Sequence, residues 1–558
     1  MRSGFKYNPK YNIAVLTCVV LAVYWPILGN DFLNYWDDQW YVMSRYTEGG
    51  LNLANLRAIF SEFYVGQYSP VNKLMYLLIY SVFGYNSMVF HLASLLLHAA
   101  CVCLAYIIIL RILKYSGENT VIEPSRNMVI ERSRNTFIAF ITALIFAIHP
   151  MNVESVAWIS ASKIVTYTFF YLLATCTYII YIDRKKSLYY ILTLVLFALS
   201  FGCKEQAVTL PVWLLMLSLL SGRTFKDRKL WAELSPFFAL AIAFGVVTMF
   251  SQASNGGGVL SDQAAYPLWQ RFILGCYSLV EYFVKFTIPY NLLYFYPFPM
   301  GIGEALPSWM LLYPAIIFVI AFSLWSYLKK FPFSVCLLFF LIHIVLVLHI
   351  VQMSRLVVFA DRYIYLACIG LAFIVAWYLV AFITNNKGIV RKIFASCFVC
   401  MTVCLGTYSN VRCRDWKDTD SIKKEIRELI KKRKDYVPPP EIEKLMEEGK
   451  KASKESAMNI VADMVSERRL VSEVVVERWL VSGAEPSQNI EPSRLTQQIG
   501  GLQVESAMMR WRVAPAKTIE KTHMLCKLIN YQFLKFMYYE QKVFSYVGYR
   551  SDSFVVPV

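Results

Sequence analysis

The chain has 558 residues, of which 57% are hydrophobic and only 17% charged. A soluble globular protein carries nearer a quarter charged residues, so the composition excludes that class and indicates an all-α polytopic membrane protein. The net charge of +17 does not argue for nucleic acid, because the Lys and Arg sit mostly in short loops between apolar spans, where they set orientation.

In chain order, a basic N-terminus leads into an apolar stretch at residues 11–28, long enough to cross a bilayer. No small-residue cleavage site follows, so it reads as a retained anchor. A polar, aromatic loop follows at 30–89, broken by Gly49-Gly50, Gly66 and Gly84. Within it, 51–63 has helical spacing and suits the interface. Further spans are expected at 90–113, 136–148, 164–182, 188–201, 208–220, 236–250, 310–328, 335–351, 363–383 and 393–407, the shorter ones by tilt or extension. Residues 271–288 are apolar but carry Glu281 and Lys285. Read as re-entrant or interfacial, they leave eleven spans with a cytoplasmic N-terminus. The loops then assigned to the cytoplasm hold twenty Lys and Arg, against nine on the other side up to Arg362. The same parity makes 30–89 a large exoplasmic loop and leaves the tail exoplasmic.

The body is expected to fill 1–411. A charged, helix-patterned exoplasmic segment follows at 412–483, with Pro438-Pro439-Pro440 inside it, and then a poorly ordered tail at 484–558. Most of the 13 cysteines lie in apolar spans. The Cys397-x-x-Cys400 pair on an apolar helix reads as packing on one face rather than redox or zinc chemistry.

One stretch stands out for chemistry: Asn34-Tyr35-Trp36-Asp37-Asp38-Gln39-Trp40-Tyr41. A lone Asp is usually a solvated loop residue. Two adjacent carboxylates between aromatics, about one turn past the first span, read instead as a functional pair. The same side collects His149 and Glu154 at the end of the third span, Lys163 at the start of the fourth, Lys204 and Glu205 between the fifth and sixth, and Arg362 before a late span. Each alone has an ordinary reading as a helix-end residue. Together they describe an acidic centre rimmed by cations, suited to an anionic leaving group such as a lipid phosphate. His91, His98, His343 and His349 read as packed interior residues.

These residues also carry a resemblance. Trp36-Asp37-Asp38, Tyr68-Ser69-Pro70, Gly84-Tyr85-Asn86, Phe90-His91-Leu92, Ala147-Ile148-His149-Pro150 through Trp158, Cys203-Lys204-Glu205-Gln206, Asp361-Arg362-Tyr363 and Arg414-Asp415-Trp416-Lys417-Asp418 occur in an order that resembles the GT-C polytopic glycosyltransferases. The body looks most like the transmembrane and tetratricopeptide-repeat-containing O-mannosyltransferases and their bacterial relatives, over about residues 10–420. The resemblance implies a GT-C-like bundle, a polyprenyl-phosphate sugar donor (dolichyl or undecaprenyl, the sugar mannose in that family) and an acceptor protein or glycan hydroxyl, often Ser or Thr. It also implies an exoplasmic acidic residue of the first loop at the reaction centre. Two features depart from the family: sequence unrelated to its repeats follows the triple proline, and Ser69 stands where it often has Arg.

On this reading a carboxylate of the pair serves as general base, and Lys163, Lys204 and Arg362 stabilise the leaving phosphate. Alternatively Asp37 and Asp38 hold Mg²⁺ or Mn²⁺, for which hard oxygen ligands are suited. A transporter or flippase for a lipid-linked substrate, or a non-catalytic membrane scaffold, would also need many spans. The absence of any Asn-x-Ser/Thr sequon leans towards a bacterial inner membrane over the endoplasmic reticulum.

Overall fold

The computed structural model describes residues 9–424, except 35–36, 119–126, 255–265, 295, 301, 329, 331 and 351–356. They fall in one compact unit, Met1–Glu428. The expectations for 425–483 and for the tail at 484–558 lie outside the described residues.

Among the described residues every regular element is helical, as a bilayer demands: with no water to satisfy backbone groups, each N–H and C=O must bond within its own segment. The first helix, α1 (Pro9–Tyr24), is continued by a 3-10 turn, Trp25–Gly29. The loop after it folds into α2 (Asp37–Tyr41), α3 (Arg45–Glu48), α4 (Leu53–Ser61) and α5 (Pro70–Phe83). Next come α6 (Ser87–Glu118), α7 (Asn127–Ile148), α8 (Val153–Ala157), α9 (Ser162–Arg184), α10 (Ser187–Phe201), α11 (Leu210–Leu220) and α12 (Arg228–Ala253). The remaining helices are α13 (Leu268–Thr287), α14 (Leu312–Ser323), α15 (Trp325–Leu328), α16 (Phe333–Ile344), α17 (Cys368–Asn385) and α18 (Gly388–Cys413).

Among the described residues six segments are long and apolar enough to cross a membrane: Pro9–Gly29, Ser87–Tyr115, Ile159–Arg184, Arg228–Ala253, Cys368–Asn385 and Gly388–Cys413. The chain is therefore an integral, multi-pass membrane protein. The helix spanning the ambiguous 271–288 region, α13, is not among them. It is two-faced, burying Ile273, Leu274, Tyr282 and Phe286 and exposing Trp269 and Phe272. By contrast α14 buries none of its side chains and exposes Phe318, Val319 and Phe322, a surface suited to lipid rather than water.

The packed centre of the bundle is built by α6, α7, α9 and α17. α18 leans on α1, α7 and α17 from outside, and Cys397, Cys400 and Cys404 lie exposed on it. Among the described residues the packing expected of the Cys397-x-x-Cys400 pair is therefore not found: both thiols lie exposed on α18.

A proline break shapes the end of the bundle that carries the charged motifs. After Ile148 the chain turns by 53° into Pro150–Ala157. Pro150 has no N–H to give to the carbonyl four residues back, Phe146 O. The Asn152 side chain supplies the missing donor, with Nδ2 at 2.7 Å from that oxygen. The next two carbonyls are satisfied from other helices: His98 Nε2 lies 3.2 Å from Ala147 O, and Ser409 Oγ donates to Ile148 O at 2.6 Å. A carbonyl can only accept, so His98 carries its proton on Nε2 and takes the Tyr365 hydroxyl on Nδ1, 2.6 Å away. One missing N–H thus ties α7 to α6 and α18. Asn152→Ala should leave Phe146 O orphaned and lower stability by about 1–3 kcal/mol, read as a drop in the thermal midpoint of the purified protein.

The first loop is organised the same way, by local caps. Asn52 Oδ1 accepts from Asn55 N at 2.9 Å to start α4, and Asn55 Nδ2 reaches Gly50 O and Tyr46 O, each at 2.9 Å. α5 starts on Pro70 and stops at Gly84, whose φ of +60° costs a glycine little. Residues 412–422, assigned by composition to a separate charged segment, pack on the body. Cys413, Trp416 and Ile422 are buried, Asp31 N donates to Lys417 O at 2.8 Å, and Thr419 Oγ1 donates to Asn34 O at 2.7 Å. The high charge density of that stretch concealed the three buried apolar residues that anchor it.

Candidate active site

The acidic pair opens α2, and its two members have different surroundings. Asp38 is 1% exposed. Its Oδ2 accepts from Leu33 N at 2.9 Å and its Oδ1 from Ser160 N at 2.8 Å. One carboxylate therefore joins the chain leaving the first span to the 3-10 turn Ile159–Ala161 ahead of α9. Burial pushes its pKa up to about 6, against the pull of the Ser160 and Leu33 bonds. Asp37 is half-buried. Burial raises its pKa as well, but here the opposing influences are the positive charges of Lys163 and Arg362. Asp37 is the member of the pair that the cations act on; Asp38 is the member that holds the loop. Asp38→Asn would replace one accepting oxygen by an NH₂ group, leaving either Leu33 N or Ser160 N unpaired in a buried place. The expected result is a loss of about 1–3 kcal/mol in stability, measured as an earlier thermal transition.

The cations are held by different partners. Arg362 lies against Glu154: its backbone N donates to Oε2 at 2.7 Å and its Nη1 to Oε1. Its guanidinium also sits 5.3 Å from the Trp158 ring and 4.8 Å from the Tyr363 ring. Glu154 is fully buried. The turn carrying Arg362 is fixed one residue earlier. Asp361 accepts from Tyr296 OH at 2.9 Å and lies 3.3 Å from Arg412 Nη2 at the end of α18. Burial pushes the Asp361 carboxyl upward, with Arg412 opposing. Lys204 Nζ donates to Glu205 Oε1 at 3.0 Å. Lys163 Nζ donates to the neutral Gln67 Oε1 at 2.7 Å and lies 4.4 Å from the centre of the Tyr41 ring. Gln67 Nε2 in turn donates to Tyr41 OH at 2.9 Å.

No family model, curated protein or solved structure matches this chain.

Of the eight residues singled out in the sequence, seven gather here: Asp37, Asp38, Glu154, Lys163, Lys204, Glu205 and Arg362. Charge couples Lys163 to Lys204, Asp37, Glu205 and Arg362, although the four elements involved are far apart in sequence. His149 is not part of the group. Its Nε2 donates to Phe286 O at 2.9 Å, its Nδ1 accepts from Met151 N at 3.3 Å, and the ring stacks on Phe286. With both nitrogens committed to backbone, His149 caps the proline break and has no valence left for a phosphate. His98, His343 and His349 are likewise packed interior residues, each bonded to a backbone carbonyl.

The acidic pair supplies at most the one or two carboxylates of a water-rich Mg²⁺ or Mn²⁺ site that the substrate phosphate would complete, not an all-protein cage. Asp38 already accepts a backbone N–H on each oxygen. Among the described residues no group of three or more His, Cys, Asp or Glu could hold a metal ion.

Several residues of the site were not legible in the sequence. Gln67 and Tyr41 brace Lys163, and Trp416 stacks on Trp158 with centroids 5.3 Å apart. Lys73 and Asn72 are buried in the first turn of α5. Lys73, four residues after Ser69, shares its helix face, and that spacing was the available signal.

Proposed function

We propose that this chain is a membrane glycosyltransferase that moves a sugar, mannose by resemblance, from a polyprenyl phosphate to an acceptor hydroxyl of a protein or glycan outside the cytoplasm. The observation that carries the reading is a half-buried carboxylate, Asp37, under the influence of Lys163 and Arg362 where helices of an apolar bundle end. Such an arrangement suits displacement at an anomeric carbon. The acceptor oxygen forms its bond to that carbon, the bond from the carbon to the phosphate oxygen breaks, and the polyprenyl phosphate leaves with the electron pair. The hydroxyl proton passes to the Asp37 carboxylate. Arg362 and Lys204 are paired with Glu154 and Glu205, whereas the Lys163 bond goes to a neutral amide. Of the three cations, Lys163 is thus the one whose hydrogen bond is not to a carboxylate, so a phosphate would not have to displace one to reach it.

The topology proposed with this function has eleven spans. The six long apolar segments, the bent pair Ser133–Ile148 and Pro150–Ala157, and the shorter apolar helices Ser187–Phe201, Glu205–Leu220, Ser308–Ser323 and Phe333–Val347 coincide in order with the eleven spans read from hydropathy. Helices of 15–16 residues need tilt or local thinning of the bilayer to cross. The N-terminus is then cytoplasmic, the acidic pair and the tail exoplasmic, and the membrane a bacterial inner membrane. Reporter fusions after Lys186, Lys330 and Lys434 should read inside, inside and outside. A cytoplasmic signal after Lys434 would mean that α13 also crosses or that another of the spans is wrongly assigned.

The function is tested with purified protein in lipid nanodiscs, supplied with polyprenyl-phosphate mannose and a Ser/Thr-rich peptide. Sugar on the peptide, read by mass, supports the reading. Intact donor after long incubation with peptide and free-sugar acceptors overturns it. Movement of the lipid-linked sugar between leaflets without transfer would put the transporter reading in its place.

A further inference from the structure

Beside the acidic pair lies a small polar cavity of about 10 Å³, partly open and lined among others by Ser69, Asn72, Lys73, Ser160 and Lys163. That volume holds roughly one water-sized group. Three of its walls carry buried polar atoms with no partner among the described residues, Lys73 Nζ, Asn72 Oδ1 and Ser160 Oγ. Lys73 is 5% exposed and Asn72 is 3% exposed, and neither Lys73 Nζ nor Asn72 Oδ1 has a hydrogen-bond partner among the described residues. The ammonium rests on aromatic faces, 4.0 Å from the Tyr46 centroid and 5.4 Å from that of Tyr64. These faces steady the charge but accept no conventional hydrogen bond. Burial pushes Lys73 down to about 8, with Glu62 opposing. Leaving buried polar atoms unpaired is costly, and a native fold tolerates it where something arrives to pair them.

The pairing group must be the size of one oxygen, accept from a nitrogen and donate to a carbonyl. A hydroxyl does both. We propose that this cavity receives a single hydroxyl of the sugar substrate, with Lys73 Nζ donating to its oxygen and Asn72 Oδ1 accepting its hydrogen. Lys73 and Asn72 are then specificity-determining residues, and a water takes the hydroxyl's place when no sugar is bound. A site built around an OH rejects the analogue lacking it, because its own donor and acceptor stay unpaired. The walls connect this contact to the reaction centre: Ser160 N holds Asp38, and the charge of Lys163 acts on Asp37. The role rests on the sugar-transfer reading above, and its test is a binding measurement that needs no turnover.

The probes are methyl glycosides of mannose, glucose and galactose, each with its set of monodeoxy analogues, bound to the detergent-solubilised full chain and followed by saturation-transfer NMR. For at least one glycoside, removal of one particular hydroxyl should weaken binding by roughly tenfold or more. Lys73→Met and Asn72→Leu should each bind the parent glycoside no better than that deoxy analogue, and should no longer distinguish the two. The proposal is overturned if no glycoside binds, if every deoxy analogue binds like its parent, or if both variants keep the wild-type preference. Should a variant fail to fold, Lys73→Gln or Asn72→Asp takes its place in the same comparison, since only a change at these residues ties the preference to the cavity. Discrimination without any sugar transfer in the nanodisc assay would retain the hydroxyl site and remove the transferase reading.

Discussion

Asp37→Asn is expected to slow sugar transfer by roughly 10²–10⁴-fold, the loss typical of a general base, while the protein stays folded. Asparagine keeps the size of the side chain and one accepting oxygen but cannot take a proton. Asp37 is half-buried and faces Lys163 and Arg362 electrostatically, so removing its charge leaves the backbone bonds that Asp38 makes untouched. The two neighbours therefore separate by experiment: Asp37→Asn loses rate at an unchanged melting temperature, whereas Asp38→Asn loses stability first. A pH profile adds a second check. Burial raises the Asp37 pKa above its usual 3.8, and the base works only when ionised. Activity should fall as the pH drops through that raised value, and the acid limb should lie at higher pH than for an ordinary aspartate. An Asp37→Asn enzyme that transfers sugar at the parent rate would remove Asp37 from the chemistry.

Arg362→Met is expected to destabilise the protein by about 3–5 kcal/mol, the cost of leaving a buried ion unpaired. Glu154 is fully buried and accepts from both the backbone and the guanidinium of Arg362. Methionine retains the apolar stem over Trp158 but strands the carboxylate in an apolar setting. Adding Glu154→Gln removes that stranded charge, so the double variant should regain part of the stability, and thermal melts of the four proteins in one detergent give the coupling directly. Sugar transfer should not recover with it, because neither variant restores the cation beside Asp37. Equal stability of Arg362→Met and the parent would mean that water reaches Glu154 and relieves its burial.

The amino-acid sequence by itself was enough for the membrane class, the helical architecture and the approximate limits of the apolar segments. Bilayer thickness sets a length and a polarity that can be counted along a chain. It also singled out seven residues that come together, since charged groups close to apolar spans are costly and rarely kept without a reason. Three matters depended on the folded structure. Asp37 and Asp38 are indistinguishable as neighbours in a string; only the packing of the Ile159–Ala161 turn against the first loop adds the Ser160 N–H to the local Leu33 N–H at Asp38 and leaves Asp37 under the influence of the cations. His149 looked like a site residue because it closes a span, but the carbonyl of Phe286, 137 positions later, claims its Nε2. The hydroxyl-sized cavity depends on Ser69, Asn72 and Lys73 at the start of α5 meeting Ser160 and Lys163 of another region. Hydropathy and local spacing act over a turn or a span, while hydrogen-bond partners and cavities are made by segments that meet only when the bundle closes.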